Sequence, residues 1–142
     1  MSNLPSTTSV ILSLVLLFVS GRPGQAQTIQ FTTQDIALKS GESTEIADVF
    51  SISLNCKSLL KGTPTVEILE GPPGVTAVVN PANVVPRALG CANPVVGGKL
   101  VVSAKDIQEY SYSRMVLRVT YKTLNGDRQR ARNINIALFP QD

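Results

Sequence analysis

The chain has no histidine, no tryptophan and only two cysteines, and aromatic residues make up just 5% of its 142 positions. Without histidine there can be no histidine-based catalytic triad, no histidine-ligated zinc or haem, and no imidazole switching charge near neutral pH. Many common exported hydrolases are thereby excluded. With no tryptophan and few other rings, an aromatic platform for sugars is not expected. Charge is also sparse, 13 Lys and Arg against 10 Asp and Glu, a net +3. Nucleic-acid binders concentrate a large basic excess on one surface, so no nucleic-acid partner is expected.

What is present begins with one apolar run, Val10 to Val19, followed by Ser20-Gly21-Arg22-Pro23-Gly24-Gln25-Ala26. As a helix, about ten apolar residues cover roughly half the hydrocarbon thickness of a bilayer, but they fit the core of a signal peptide. Gly24 and Ala26 stand at the −3 and −1 positions of a small-x-small cleavage site, with the mature chain starting at Gln27; cleavage after Gly21 is the alternative. Met1 to Ser9 contain no Lys or Arg, so only the terminal amine supplies positive charge there. The competing readings are an uncleaved anchor or a buried strand. Both conflict with the short run and with the Gly and Pro that follow it. No cysteine follows for lipid attachment. The expectation is a signal peptide at 1–26 and one domain at 27–142. The product would be periplasmic or secreted, with no stable membrane insertion after cleavage. Cleavage removes Arg22 as its only charged side chain and lowers the net charge to +2.

In an exported chain Cys56 and Cys91 are expected to pair, because the compartment is oxidising and the count is even. The bridge would close a loop of about 36 residues, which the chain-entropy model values at roughly 4 kcal/mol. A redox role would call for a Cys-x-x-Cys spacing, which is missing.

Short runs of Val, Ile, Thr and aromatic residues, separated by Gly, Pro and Asn, predict an all-β domain. Phe50, Ile52, Leu54 and Cys56 alternate with polar residues and predict a strand that ends with Cys56 facing the core. Further strands are expected at 28–33, 35–39, 65–70, 75–80 and 99–104. Pro81, Pro86 and Pro94 keep 81–97 mostly irregular. Residues 103–109, opening on Ser103 with Asp106 three positions on, form the one helical-looking segment. Arg114 to Leu124 and Asp127 to Phe139 flank Asn125-Gly126, the pair that favours a type I′ hairpin turn. The implied register sets Tyr121 opposite Arg130, Leu117 opposite Ile134 and Met115 opposite Ile136.

Pro72-Pro73-Gly74-Val75-Thr76 lies between two short strands, and Lys99 to Ala104 leads through Asp106 to Tyr110 and Tyr112. With the long final hairpin, these features resemble small exported bacterial immunoglobulin-like proteins. The resemblance covers about residues 28–139. It implies a single immunoglobulin-like antiparallel β-sandwich, with a C-terminal hairpin and one disulfide, used for binding or scaffolding. The chain departs from antibody-type domains in lacking tryptophan and in its closer cysteines.

Several residues are of types that could carry chemistry. Ser58-Leu59-Leu60-Lys61 matches the Ser-x-x-Lys pattern but lacks its Ser-Asp-Asn and Lys-Thr-Gly companions, which favours an ordinary turn after Cys56. Glu67 with Glu70, or Asp106 with Glu109, would need to face each other across a cleft to cleave glycosides. Strand alternation separates the first pair, and the second reads as surface charge. No cofactor or metal site is expected. The best site candidate is Arg128, Arg130 and Arg132, which alternate on one strand and so share a face, with Tyr121 opposite them. Guanidinium groups beside a phenol suit carboxylates, phosphates or anionic sugars; the plainer reading is a solvated hairpin tip or a guarded edge strand. The leading expectation is a non-catalytic binding or structural module whose partner is a protein or anionic polymer of the cell envelope. The alternatives are a self-assembling, pilus-like subunit that donates Thr28 to Thr33 as a strand, and a small carboxylate-based hydrolase.

Overall fold

The computed structural model describes residues 33–142; the expected signal segment and nearly all of the expected strand at 28–33 lie outside the described residues. Seven strands form: β1 (Gln34–Lys39), β2 (Ser43–Val49), β3 (Thr65–Glu70), β4 (Val75–Val84), β5 (Val95–Ala104), β6 (Ser111–Thr123) and β7 (Gly126–Phe139). They make two sheets, ordered β1-β7-β6-β3 and β2-β5-β4. All pairings are antiparallel except that of β1 with β7, which is parallel, so the expectation of a wholly antiparallel sandwich is corrected.

Period-two alternation turns one row of each strand inward. Met115, Leu117 and Val119 on β6 and Ile134, Ile136 and Leu138 on β7 meet Val49, Leu100 and Val102 from the other sheet, all essentially solvent-free. Each such aliphatic side chain contributes about 1.5–3 kcal/mol on burial. Pro81 does not end β4, contrary to expectation, because β4 is an edge strand and a missing N–H on its outer side costs no ladder bond. The strand runs on to Val84 and β5 resumes at Val95, leaving 85–94 irregular.

Two local expectations are corrected. Residues 50–56 are not a strand: β2 ends at Val49, Ile52 forms only an isolated bridge to Ser58, and Leu54 is fully exposed. Alternation alone does not make a strand where no neighbouring strand is available to pair with it. No helix forms at 103–109, since β5 extends to Ala104 and Asp106 takes a left-handed φ of 56°.

The hairpin forms with its register shifted by two. Tyr121 faces Arg128, Leu117 faces Arg132 and Met115 faces Ile134. A type I′ turn needs positive φ at both central residues, but only Gly126 has it, at +100°, while Leu124 and Asn125 do not. The Thr123 hydroxyl stabilises this turn, donating to the Gly126 carbonyl at 2.6 Å and accepting from the Asn125 N–H at 3.2 Å. A shift of two preserves the face of every side chain.

The long connections 50–64 and 85–94 and the hairpin tip lie together at what we call the upper end of the sandwich. The turns at 40–42, 71–74 and 105–110 close the lower end.

Candidate functional site

On the inner face of β7 the core stops at Ile134. Arg132, Arg130 and Arg128 continue the same row beyond it, toward the hairpin tip, and Arg128 and Arg130 are exposed. On the neighbouring strand the inner row stays covered further up, so Tyr121 is 7% exposed and Thr123 2%. The cover comes from the connection after β2, which runs back along the free edge of β6. Leu60 bridges Thr123, Lys61 N–H donates to the Lys122 carbonyl at 3.0 Å, and Leu124 N–H donates to the Leu59 carbonyl at 3.0 Å.

This arrangement leaves a cavity of about 440 Å³. Arg128, Arg130, Arg132 and Tyr121 form one wall, and Phe50, Ser51, Ile52, Leu59 and Leu89 form the other. The sequence-predicted group is therefore brought together, on the core-facing side of the hairpin, in one cavity with residues of the two upper connections. Among the described residues no carboxylate lies within ion-pairing distance of these three arginines, whereas Arg118, Lys99 and Lys39 pair with Glu67, Asp48 and Asp142. Three cations with low-dielectric walls beside them concentrate positive potential in the cavity. Guanidinium forks match carboxylate and phosphate oxygens in bidentate fashion.

Cys56 and Cys91 are bridged, with Cα atoms 5.7 Å apart. The bridge joins the two upper connections and not two strands, and only Cys91 is deeply buried, at 3% exposed. The expected strand-end position of Cys56 is corrected: its φ of 57° places it in a turn, where its N–H donates to the Ser53 carbonyl. Leu89 closes a short 3-10 turn two residues before Cys91, and Phe50, Ser51, Ile52 and Leu59 lie on the connection that carries Cys56. The disulfide thus ties together the two segments that form the far wall of the cavity. Sequence reasoning missed these wall residues; their one signal was nearness to the two cysteines. The bridge is consistent with an oxidising, exported compartment. Among the described residues no helix is long and apolar enough to cross a membrane.

Of the other candidates, Ser58 and Glu67 are held in structural contacts, while Glu70, Asp106 and Glu109 line one groove. The Ser58 hydroxyl donates to the Val96 carbonyl at 3.0 Å, a structural role across the upper end. Glu67 is held by Arg118, and a bulge between Ile68 and Glu70 sets Glu70 opposite Val116, so simple alternation no longer relates the two acids. Asp106 and Glu109 sit on the lower-end turn beside Lys105, lining an open groove of about 1040 Å³ with Glu70 and Arg114.

No family model, curated protein or solved structure matches this chain.

Proposed function

We propose that the chain is an exported, non-catalytic binding module that holds an anionic partner, an acidic protein or a charged polymer of the cell envelope, at its arginine-lined cavity. The observation that carries this reading is the row Arg128, Arg130 and Arg132. The three groups share one face and one cavity with Tyr121 and have no carboxylate in ion-pairing reach among the described residues. These charges lie on the inner face of the hairpin, bordering the core across from Phe50, Ser51, Ile52, Leu59 and Leu89, and not on the outer face. The strand order also favours an immunoglobulin-like sandwich. β2-β5-β4 and β3-β6-β7 correspond to the B-E-D and C-F-G groupings of that fold, with the first strand added beside the last. The disulfide differs from the inter-sheet bridge of antibody domains, since it joins two loops.

The test is titration of the folded protein with inorganic tripolyphosphate, followed calorimetrically, beside a variant combining Arg128→Gln, Arg130→Gln and Arg132→Gln. The expected result is binding that weakens with salt and falls at least tenfold in the variant, since hydrogen bonds to charged groups contribute about 1.5–3 kcal/mol each. Equal binding by both proteins, or none by either, overturns the reading.

A further inference from the structure

We infer that the anionic partner is an extended acidic peptide, added as a strand to the open edge of β7 with alternate carboxylates facing Arg128, Arg130 and Arg132. This rests on the anion-binding reading above and specifies its ligand. Two independent features of β7 lead to it.

The first is the edge itself. β7 is fourteen residues long and pairs along its whole length with β6, but β1 covers only Ile134 to Phe139 on the other side. Among the described residues nothing pairs with Gly126 to Asn133 on that side. Backbone groups on a strand alternate between its two neighbours. The Phe139 carbonyl accepts from Ser40 N–H on the β1 side, at 2.9 Å. Odd-numbered residues therefore direct their N–H and C=O groups to that side. Gln129, Ala131 and Asn133 present theirs to a lane that continues the line of β1 and that no described residue fills. Such a lane accepts an added strand through main-chain hydrogen bonds, with specificity supplied by alternate side chains.

The second is the spacing of the charges. Arg128, Arg130 and Arg132 recur every two residues, about 6.6 Å along the strand, and the row spans about 13 Å. An extended peptide with an acid at every second position has the same repeat and, lying in the lane, puts all its acids on the inner face beside the arginines. Opposite charges on adjacent strands attract, and like charges there would repel. A compact anion such as a single phosphate engages only part of a row this long. The remaining side chains of the peptide fall on the outer face, beside the exposed Gln129 and Ala131 and next to Asn133.

The experiment compares two peptides of identical composition by fluorescence anisotropy against the full chain. One alternates Glu and Thr over nine residues; the other groups its Glu residues together in a block. A second protein, Ala131→Pro, removes one N–H from the open lane. It leaves the β6–β7 ladder and all three arginines in place, since the lost donor points away from β6 and proline is tolerated at such an edge. The expected result is at least tenfold tighter binding of the alternating peptide, lost in Ala131→Pro, while tripolyphosphate binding by that variant is unchanged. Equal binding of the two peptides, or full retention by Ala131→Pro, overturns strand addition and leaves the anion-binding reading standing. Absence of binding by both peptides overturns strand addition as well, and tripolyphosphate then decides separately whether the cavity binds anions.

Discussion

The two ends of the sandwich close the gap between the sheets by different means. At the lower end the connections are short and their backbones lock together directly. Lys105 N–H donates to the Gly74 carbonyl at 2.8 Å, Gly41 N–H to the Ala104 carbonyl at 2.8 Å, and Ile107 N–H to the Ser40 hydroxyl at 3.1 Å. At the upper end the chain between β2 and β3 and between β4 and β5 is long and irregular; backbone bonds tie 59–61 to the hairpin tip, and a covalent bridge joins the two connections to each other. The hairpin overhangs there, and its cations line a cavity walled by the bridged loops. Hydrogen bonds between neighbouring short turns hold the lower end without a covalent tie. The long upper connections carry one, and loops positioned on a rigid scaffold are where binding groups commonly lie.

Removing the bridge gives the largest test of that contrast. The pair Cys56→Ser and Cys91→Ser is expected to lower unfolding free energy by about 4 kcal/mol, read from denaturant midpoints. Amide exchange should accelerate first at 50–64 and 85–94 and leave the lower turns protected. Affinity for tripolyphosphate should fall as well, because Leu89 and Phe50 lose their fixed placement opposite the arginines. A uniform loss of protection over both ends would mean the bridge acts on the whole domain, and the contrast would collapse.

What could be read in the sequence follows the same division. β3 lies where the alternation of Thr65 to Glu70 puts it, and both arms of the hairpin are found, because Val66 and Ile68, Met115 to Val119 and Ile134 to Leu138 each alternate apolar residues toward the core. β2 escaped notice because a bulge between Glu45 and Ala47 breaks its period, leaving Ile46 and Val49 three apart on the buried side. Conversely, Phe50, Ile52 and Leu54 mimic a strand but belong to a loop, since pairing depends on neighbours that no local pattern records. The arginine row was legible because its spacing is itself strand periodicity. The opposing wall was not, since it is assembled by a disulfide across 35 positions. The hairpin register slipped because Asn125-Gly126 fits two turn types, and only the positive φ at Gly126 alone distinguishes them.

Two glycines sharpen the comparison at smaller energies. Gly74 at the lower end and Gly126 at the upper end both have positive φ, +81° and +100°. A Cβ at Gly74 would lie 2.5 Å from the Lys105 carbonyl oxygen and 2.8 Å from Ile107 Cδ1, whereas one at Gly126 would meet nothing within 4 Å. Gly126→Ala should therefore cost only the left-handed conformation, about 1 kcal/mol. Gly74→Ala should cost about 3 kcal/mol, because the interlocked turns must also separate. Melting temperatures of the two variants give the ordering. Equal losses would show that the close approach of the lower turns adds no rigidity of its own.

The smallest expected effect concerns a contact that ties the C-terminus to the lower end, Lys39 Nζ to Asp142 Oδ2 at 2.6 Å. The hydrogen bond and charge of Lys39 hold the Asp142 carboxyl below its ordinary value, and Asp142 raises Lys39 above its own. The depressed carboxyl contributes stability above its unfolded pKa and loses it as pH falls through the folded one. The raised amine contributes below its unfolded pKa and loses it as pH rises through the folded one. The pair is thus complete across neutral pH. Both side chains are solvent-exposed, 50% and 88%, so water and salt screen most of the attraction. Asp142→Asn should leave the neutral-pH melting temperature unchanged within error, with or without added salt. A clear loss at neutral pH that disappears under acid would instead make the ion pair a further tie of the lower end, beside the hydrogen bonds that join its turns.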